Sequence, residues 1–139
     1  MITAVDTNVL IDVLEADLEF GVNSAAALAR ACQRGTLIAC DVVWAEVATA
    51  YQPPDAIVED LAAFGLHFVP MSEQAALEAA AAWAHYRASG GTRSRIAADF
   101  LIGAHAARQA DRLLTRDTGF YRKHFLGLAV LAPSELGAT

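Results

Sequence analysis

Four acidic residues carry the chemistry that this sequence suggests. Asp6 follows the apolar run Ile2-Thr3-Ala4-Val5, and Glu46 lies within Trp44-Ala45-Glu46-Val47-Ala48. Asp99 lies within Ile96-Ala97-Ala98-Asp99-Phe100-Leu101-Ile102, and Asp117 follows Leu113-Leu114-Thr115-Arg116. A carboxylate among apolar neighbours is costly unless it is paired or bound to a cation. Taken singly, Asp117 could cap a helix, and Asp99 could favour a helix start through the helix dipole. Gathered at one place, the four would repel, and at least one pKa would rise unless a cation neutralised them. An oxygen-only ligand set suits a hard ion, Mg²⁺ or Mn²⁺, rather than zinc. No His-x-x-x-His or Cys-x-x-Cys spacing competes with it. One or two such ions can activate a water and hold the leaving oxygen of a phosphodiester.

The elements needed to gather these acids can be read from the apolar pattern. Ile2–Val5 reads as a buried strand that delivers Asp6 to its C-terminal end, with a short helix from Val9 to Glu15. A second helix spans Ser24 to Arg34 and stops at Gly35. A strand over Leu37–Cys40 leads to Asp41, a plausible N-cap for a helix from Val42 to Tyr51. Pro53-Pro54 breaks that helix, and a return helix runs from Asp55 to Phe64. A strand at Leu66–Val69 precedes a long helix, capped by Ser72 and ending near Ala88. Ser89-Gly90-Gly91-Thr92 is a loop, and a helix resumes after Ser94 to about Ala110. Leu113–Thr115 is a strand, Gly119–His124 a short helix, and Leu128–Leu131 a last strand stopped by Pro133. Short apolar strands alternating with helices predict a three-layer α/β fold. Its central, mostly parallel sheet has about five short strands, with helices on both faces. In such a sheet all four acids project to one edge, where ligands bind.

The totals agree with one domain over residues 1–139, long enough to bury a core. The residues are 55% apolar and 19% charged, a globular rather than a disordered balance. The N-terminus lacks a basic region, so no signal peptide is expected, and no apolar stretch is long enough to span a membrane. Cys32 and Cys40 show neither disulfide-framework nor metal spacing and are expected as buried thiols in a reducing cytosol. The net charge of −6 is unevenly spread. Residues 1–86 hold 12 acids and 2 bases, whereas residues 87–123 hold 8 bases and 3 acids. Phosphate binding needs local rather than global positive charge, so the basic segment admits a nucleic-acid partner; a solvated arginine-rich surface is the alternative.

The ordered blocks Val5-Asp6-Thr7-Asn8-Val9-Leu10, Trp44-Ala45-Glu46-Val47, Ala98-Asp99-Phe100-Leu101-Ile102 and Leu114-Thr115-Arg116-Asp117 with Phe120 resemble the signature blocks of the PIN-domain ribonucleases. The compact length resembles the VapC-type toxins of bacterial toxin–antitoxin pairs. The resemblance implies a cytoplasmic, Mg²⁺- or Mn²⁺-dependent endoribonuclease. Asp6, Glu46 and Asp99 would be its main metal ligands and Asp117 a more variable fourth acid. Thr115 would support the site and Asn8 would orient the first turn. It also implies an antitoxin partner, seated near the helical hairpin of residues 42–64, and a homodimer. That hairpin's first helix, with Val42, Val43, Trp44, Val47 and Tyr51, is apolar nearly all round and so expected to be buried on more than one side.

The basic loop Gly90 to Arg95 is the expected approach surface for RNA, with Arg93, Arg95 and Arg116 as contacts. His67, His85, His105 and His124 are not expected to be catalysts. Trp83, Tyr86 and Tyr121 read as packing or rim residues. Three other readings stay open: a non-catalytic RNA- or protein-binding module, a PIN nuclease that is not a toxin, and a receiver or phosphatase fold. The last would want a second acid where Asn8 stands, or a lysine at a late strand end; the only lysine, Lys123, sits in a predicted helix.

Overall fold

The computed structural model describes residues 1–93 and 96–137. Five parallel strands form its sheet: β1 (Ile2–Val5), β2 (Thr36–Ala39), β3 (Leu66–Phe68), β4 (Arg112–Leu114) and β5 (Ala129–Leu131). Their order is β3-β2-β1-β4-β5, so β1 lies at the centre. Because each pair is parallel, every strand ends at the same edge. The chain steps outward from β1 to β3, then crosses back to β4 and β5. Right-handed crossovers therefore put the connecting helices on opposite faces of the sheet.

Those helices are α1 (Thr7–Leu14), α2 (Gly21–Arg34), α3 (Asp41–Ala48), α4 (Ile57–Ala63), α5 (Glu73–Ala88), α6 (Ala98–Gln109), α7 (Thr118–His124) and α8 (Pro133–Gly137). The core sits between sheet and helices. Val5, Val9, Leu10, Leu37, Val43, Leu61, Phe100, Leu113 and Tyr121 are fully enclosed there. Each large apolar side chain so buried stabilises the fold by about 1.5–3 kcal/mol relative to exposure. Ser72 caps α5 as expected, accepting a hydrogen bond from the Ala75 N–H at 3.1 Å.

Some expectations are corrected by tertiary contacts. Helix α2 begins at Gly21, three residues before Ser24. Ser24 is buried and its hydroxyl donates to Asp12 at 3.0 Å instead of serving the helix end. Cys40, not Asp41, is the N-cap of α3; the Asp41 carboxylate accepts from the Met71 N–H at 3.2 Å. Helix α3 buries Val43 and Val47 but leaves Ala45 and Glu46 exposed, so it is enclosed on one side rather than all round. Pro133 ends β5 and also opens α8, which packs against α2; its missing N–H costs nothing at a helix start. Cys40 is buried as expected, but Cys32 is exposed on α2.

One contact fixes how α6 approaches the end of α7. A β-carbon placed at Gly103 would overlap the ring of Phe125, which is itself buried. Gly103→Ala should therefore destabilise the fold by about 1–3 kcal/mol through overpacking. Thermal denaturation should show a melting temperature several degrees lower; a melting temperature equal to wild type would mean that the two elements separate at no cost.

Candidate active site

Strand β1 turns directly into α1 at Asp6, which N-caps the helix. Its side chain is buried, and both carboxylate oxygens are engaged. Oδ1 accepts from the Thr7 N–H at 2.7 Å, and Oδ2 accepts from the Thr115 hydroxyl at 2.8 Å. Thr115 stands just beyond the end of β4, the neighbour of β1, and is fully buried. Asn8 ties the same two strand ends together. Its amide nitrogen donates to Thr115 Oγ1 at 3.3 Å, while its oxygen accepts from the Arg116 N–H at 3.1 Å. The supporting roles expected of Asn8 and Thr115 thus have a geometry: they hold the Asp6 carboxylate at the sheet edge.

The other three acids reach this edge from different elements. Glu46 projects from α3 and accepts a 2.6 Å hydrogen bond from Thr7, the residue after Asp6. It is exposed, so the apolar burial expected from its neighbours does not occur. Asp99 lies in the first turn of α6, half-buried, where the helix dipole favours its charge. Asp117 occupies the N-cap position of α7 but its side chain makes no capping bond, which leaves the exposed carboxylate free to face the site. Its N–H donates to Thr115 Oγ1 at 3.0 Å, so its backbone is fixed even though its side chain is not.

The electrostatics record how close these groups lie. Burial pushes the Asp6 carboxyl up to about 6, against the lowering effect of the Thr115 and Thr7 hydrogen bonds; the Asp99 charge adds to the rise. Burial also raises Asp99, followed by repulsion from Asp117; Arg93 opposes this, and Glu46 adds to it. Tyr121, on α7, faces the same charges. Its phenol is driven upward first by burial and then by Asp6 and Asp99. Its hydroxyl is buried and makes no hydrogen bond of good geometry among the described residues.

Two features of this site leave no trace in the sequence pattern. Tyr121 reads as a packing residue, because an aromatic in a short apolar helix gives no sign that its hydroxyl points at acids. Asp12 reads as an ordinary helix residue, yet it is buried and takes both Nε (2.7 Å) and Nη2 (3.1 Å) of Arg116. The Arg116 guanidinium also lies 4.0 Å over the ring of Phe20. Arg116 is thus a tie between α1 and the β4–α7 loop that carries Asp117. Arg93 is exposed beside Asp99, and Arg95 lies outside the described residues. His105 is buried, with Nε2 2.8 Å from the Val69 carbonyl, in keeping with a structural role.

A hard cation fits this arrangement by its chemistry. The site offers carboxylate oxygens, two of its acids have raised pKa values, and the buried Tyr121 phenol faces Asp6 and Asp99. Among the described residues no three acidic, histidine or cysteine side chains lie close enough to form a ready-made cage. An ion such as Mg²⁺ keeps several of its waters and takes only part of its shell from carboxylates.

The raised Asp6 carboxyl has a consequence for the metal-free protein. Between 3.8, its ordinary value, and about 6 the folded state binds a proton that the unfolded chain does not. Stability must then fall as pH rises through that window, by up to roughly 2–3 kcal/mol from this group. Asp99 acts in the same sense. Asp17 has a lowered pKa, so its opposing effect lies below this window. Asp6→Asn should therefore melt several degrees higher than wild type at pH 7 in EDTA, and the gap should close towards pH 4. A variant less stable than wild type at pH 7 would show that the charged carboxylate is itself a stabilising group.

The PIN domain family model matches residues 3–126 of this chain. No curated protein matches it. Solved structures do. The VapBC-1 structure from nontypeable Haemophilus influenzae is similar at a TM-score of 0.73 and 17% identity, covering 96% of this chain and 99% of that one. VapBC2 from Rickettsia felis, bound to a promoter DNA fragment, gives 0.70 and 18% over 95% and 98%. A toxin-antitoxin complex from Klebsiella pneumoniae gives 0.64 and 21% over 96% and 98%. At such identities the likeness is one of fold. The family match encloses all four acids and the strand ends that carry them, and this chain belongs to the PIN-domain family, whose members are nucleases.

Proposed function

We propose that this protein is a metal-dependent endoribonuclease and the toxin of a toxin–antitoxin pair. The observation that carries the reading is the convergence of Asp6, Glu46, Asp99 and Asp117 on one sheet edge, with Asp6 buried and raised to about 6. Asp6, Glu46 and Asp99, with Asp117 as the fourth acid, would hold Mg²⁺ or Mn²⁺ directly or through water. When bound, such an ion supplies Lewis-acid activation of a water and neutralises charge on a phosphodiester.

The chain's own residues do the positioning. Thr115 and the Thr7 N–H fix both oxygens of Asp6, and the Thr7 hydroxyl fixes Glu46. Asn8 holds the β4–α7 loop against α1, so Asp117 keeps its place relative to Asp6. Tyr121 walls the site from the core side and keeps its proton, so it can donate a hydrogen bond but cannot add a fifth negative charge. Arg93 beside Asp99 is positioned to meet RNA phosphates, with Arg95 and Arg116 as the further arginines of the same segment; Arg116 would do so only with what Asp12 leaves free. The toxin reading draws on the VapBC and toxin-antitoxin neighbours. One domain over residues 1–139, working in the cytoplasm, completes the proposal; no helix of the described residues is long and apolar enough to cross a membrane.

Purified protein should cut mixed tRNA and ribosomal RNA with Mg²⁺ or Mn²⁺ and not with EDTA. Asp6→Ala and Asp99→Ala should each lower the rate at least about 100-fold. Metal-bound acids must be deprotonated, so at limiting metal the rate should fall as pH drops and protons compete for Asp6. Cleavage that survives EDTA or both substitutions would overturn the carboxylate site.

A further inference from the structure

Next to the acids, the C-terminal ends of α5 and α7 meet around an open cleft of about 360 Å³. His85 and Tyr86 from α5, Gly90 and Gly91 from the following loop, and Lys123 and His124 from α7 line it. No acid lines it among the described residues, although the chain as a whole carries −6. Burial lowers the His124 pKa, and Lys123 and His85 lower it further, which places these three side chains close together. Glu78 borders a separate groove beyond His124, where it pairs with Arg108 at 2.6 Å.

The cleft is firmly built. A β-carbon at Gly91 would run into the Tyr86 ring, so the loop lies tight against it. The Tyr86 hydroxyl accepts from the N–H groups of Thr92 (3.2 Å) and Arg93 (3.4 Å). The Arg87 guanidinium holds the carbonyls of Gly91 (3.1 Å) and Arg93 (2.6 Å). Aromatic rings link the cleft to the elements that carry Asp99 and Asp117. Phe100, which follows Asp99, stacks on Tyr86 at 5.2 Å and meets His124 at 5.5 Å. Phe120, three residues after Asp117, lies 4.7 Å from His124.

We propose that this cleft is a phosphate subsite of the RNA-binding surface: His85, Lys123 and His124 hold a backbone phosphate flanking the bond that faces the acids. Lys123 and two imidazoles, brought together at the ends of α5 and α7 with no acid among the described lining residues, match what an RNA phosphate requires. The acids alone would repel the strand, and this subsite supplies the attraction beside them. The inference rests on the nuclease reading for its substrate, but the subsite is tested separately. A basic residue in the last turn of a helix also stabilises the helix dipole, a role that would leave RNA binding untouched.

The test is binding of a labelled single-stranded 12-nucleotide RNA by anisotropy, in EDTA and over a range of salt. It compares wild type, His85→Ala/Lys123→Ala, and Arg34→Ala. Arg34 is a control, because it ends α2 next to Arg112 at the opposite edge of the sheet. The double variant should bind about three- to tenfold more weakly, with a salt slope smaller by about 0.7 for each phosphate that it no longer neutralises. Arg34→Ala should match wild type. His85 and Lys123 are exposed, and Lys123→Glu serves as a second variant if the first does not fold. Equal affinity and slope in wild type and variant, no RNA binding by wild type, or equal weakening by Arg34→Ala would each overturn the subsite. Metal-dependent cleavage with an unchanged KM in the double variant would overturn the subsite while leaving the nuclease reading intact. Cleft-dependent RNA binding by a protein that cuts nothing would keep the subsite and remove the nuclease.

Discussion

The structure depends on one buried carboxylate. Asp6 ends the central strand of an all-parallel sheet and begins the first helix, enclosed by the strand ends on either side. A charge in that place is costly, and two short hydrogen bonds, from the Thr7 N–H and the Thr115 hydroxyl, offset only part of the cost. The remainder appears as a carboxyl raised to about 6. A group held in an unfavourable charge state at neutral pH is what binding a cation would relieve.

The neighbouring structure supports that arrangement. The parallel order β3-β2-β1-β4-β5 is what brings Asp6 and Thr115 side by side and lets α3, α6 and α7 add Glu46, Asp99 and Asp117. Behind them the Asp12–Arg116 pair clamps α1 to the loop that bears Asp117. Asp12 is buried, so removing Arg116 would leave its carboxylate without this cation, and the pair keeps the loop in register. Tyr86 and His124 of the basic cleft pack on Phe100 and Phe120, which follow Asp99 and Asp117 in the chain.

The strand leading into Asp6 and the four acids at junctions are legible in the sequence because local patterns encode them. A buried strand reads as an apolar run, and an acid at its end stands out. The parallel sheet follows from strand and helix alternation. What cannot be read depends on contacts distant along the chain. Asp12 and Arg116 are 104 residues apart, so nothing local marks Arg116 as the partner of Asp12. The exposure of Glu46 and Cys32 depends on which face of each helix meets the sheet, and alanine-rich helices define that face poorly. Pro133 reads as a stop, although proline also favours the first turn of a helix, and only the packing of α8 on α2 decides between them. The Tyr121 hydroxyl gains its significance from facing Asp6 and Asp99, which no spacing along α7 reveals.

The central claim is that the Asp6 carboxylate and its three acidic neighbours hold a hard divalent ion. Calorimetric titration with Mn²⁺ at pH 6, in two buffers of different ionisation heat, tests it most directly. Binding should release about half a proton from Asp6 and be lost in Asp6→Asn. Binding without proton release, binding kept by Asp6→Asn, or no binding of Mn²⁺ would contradict it.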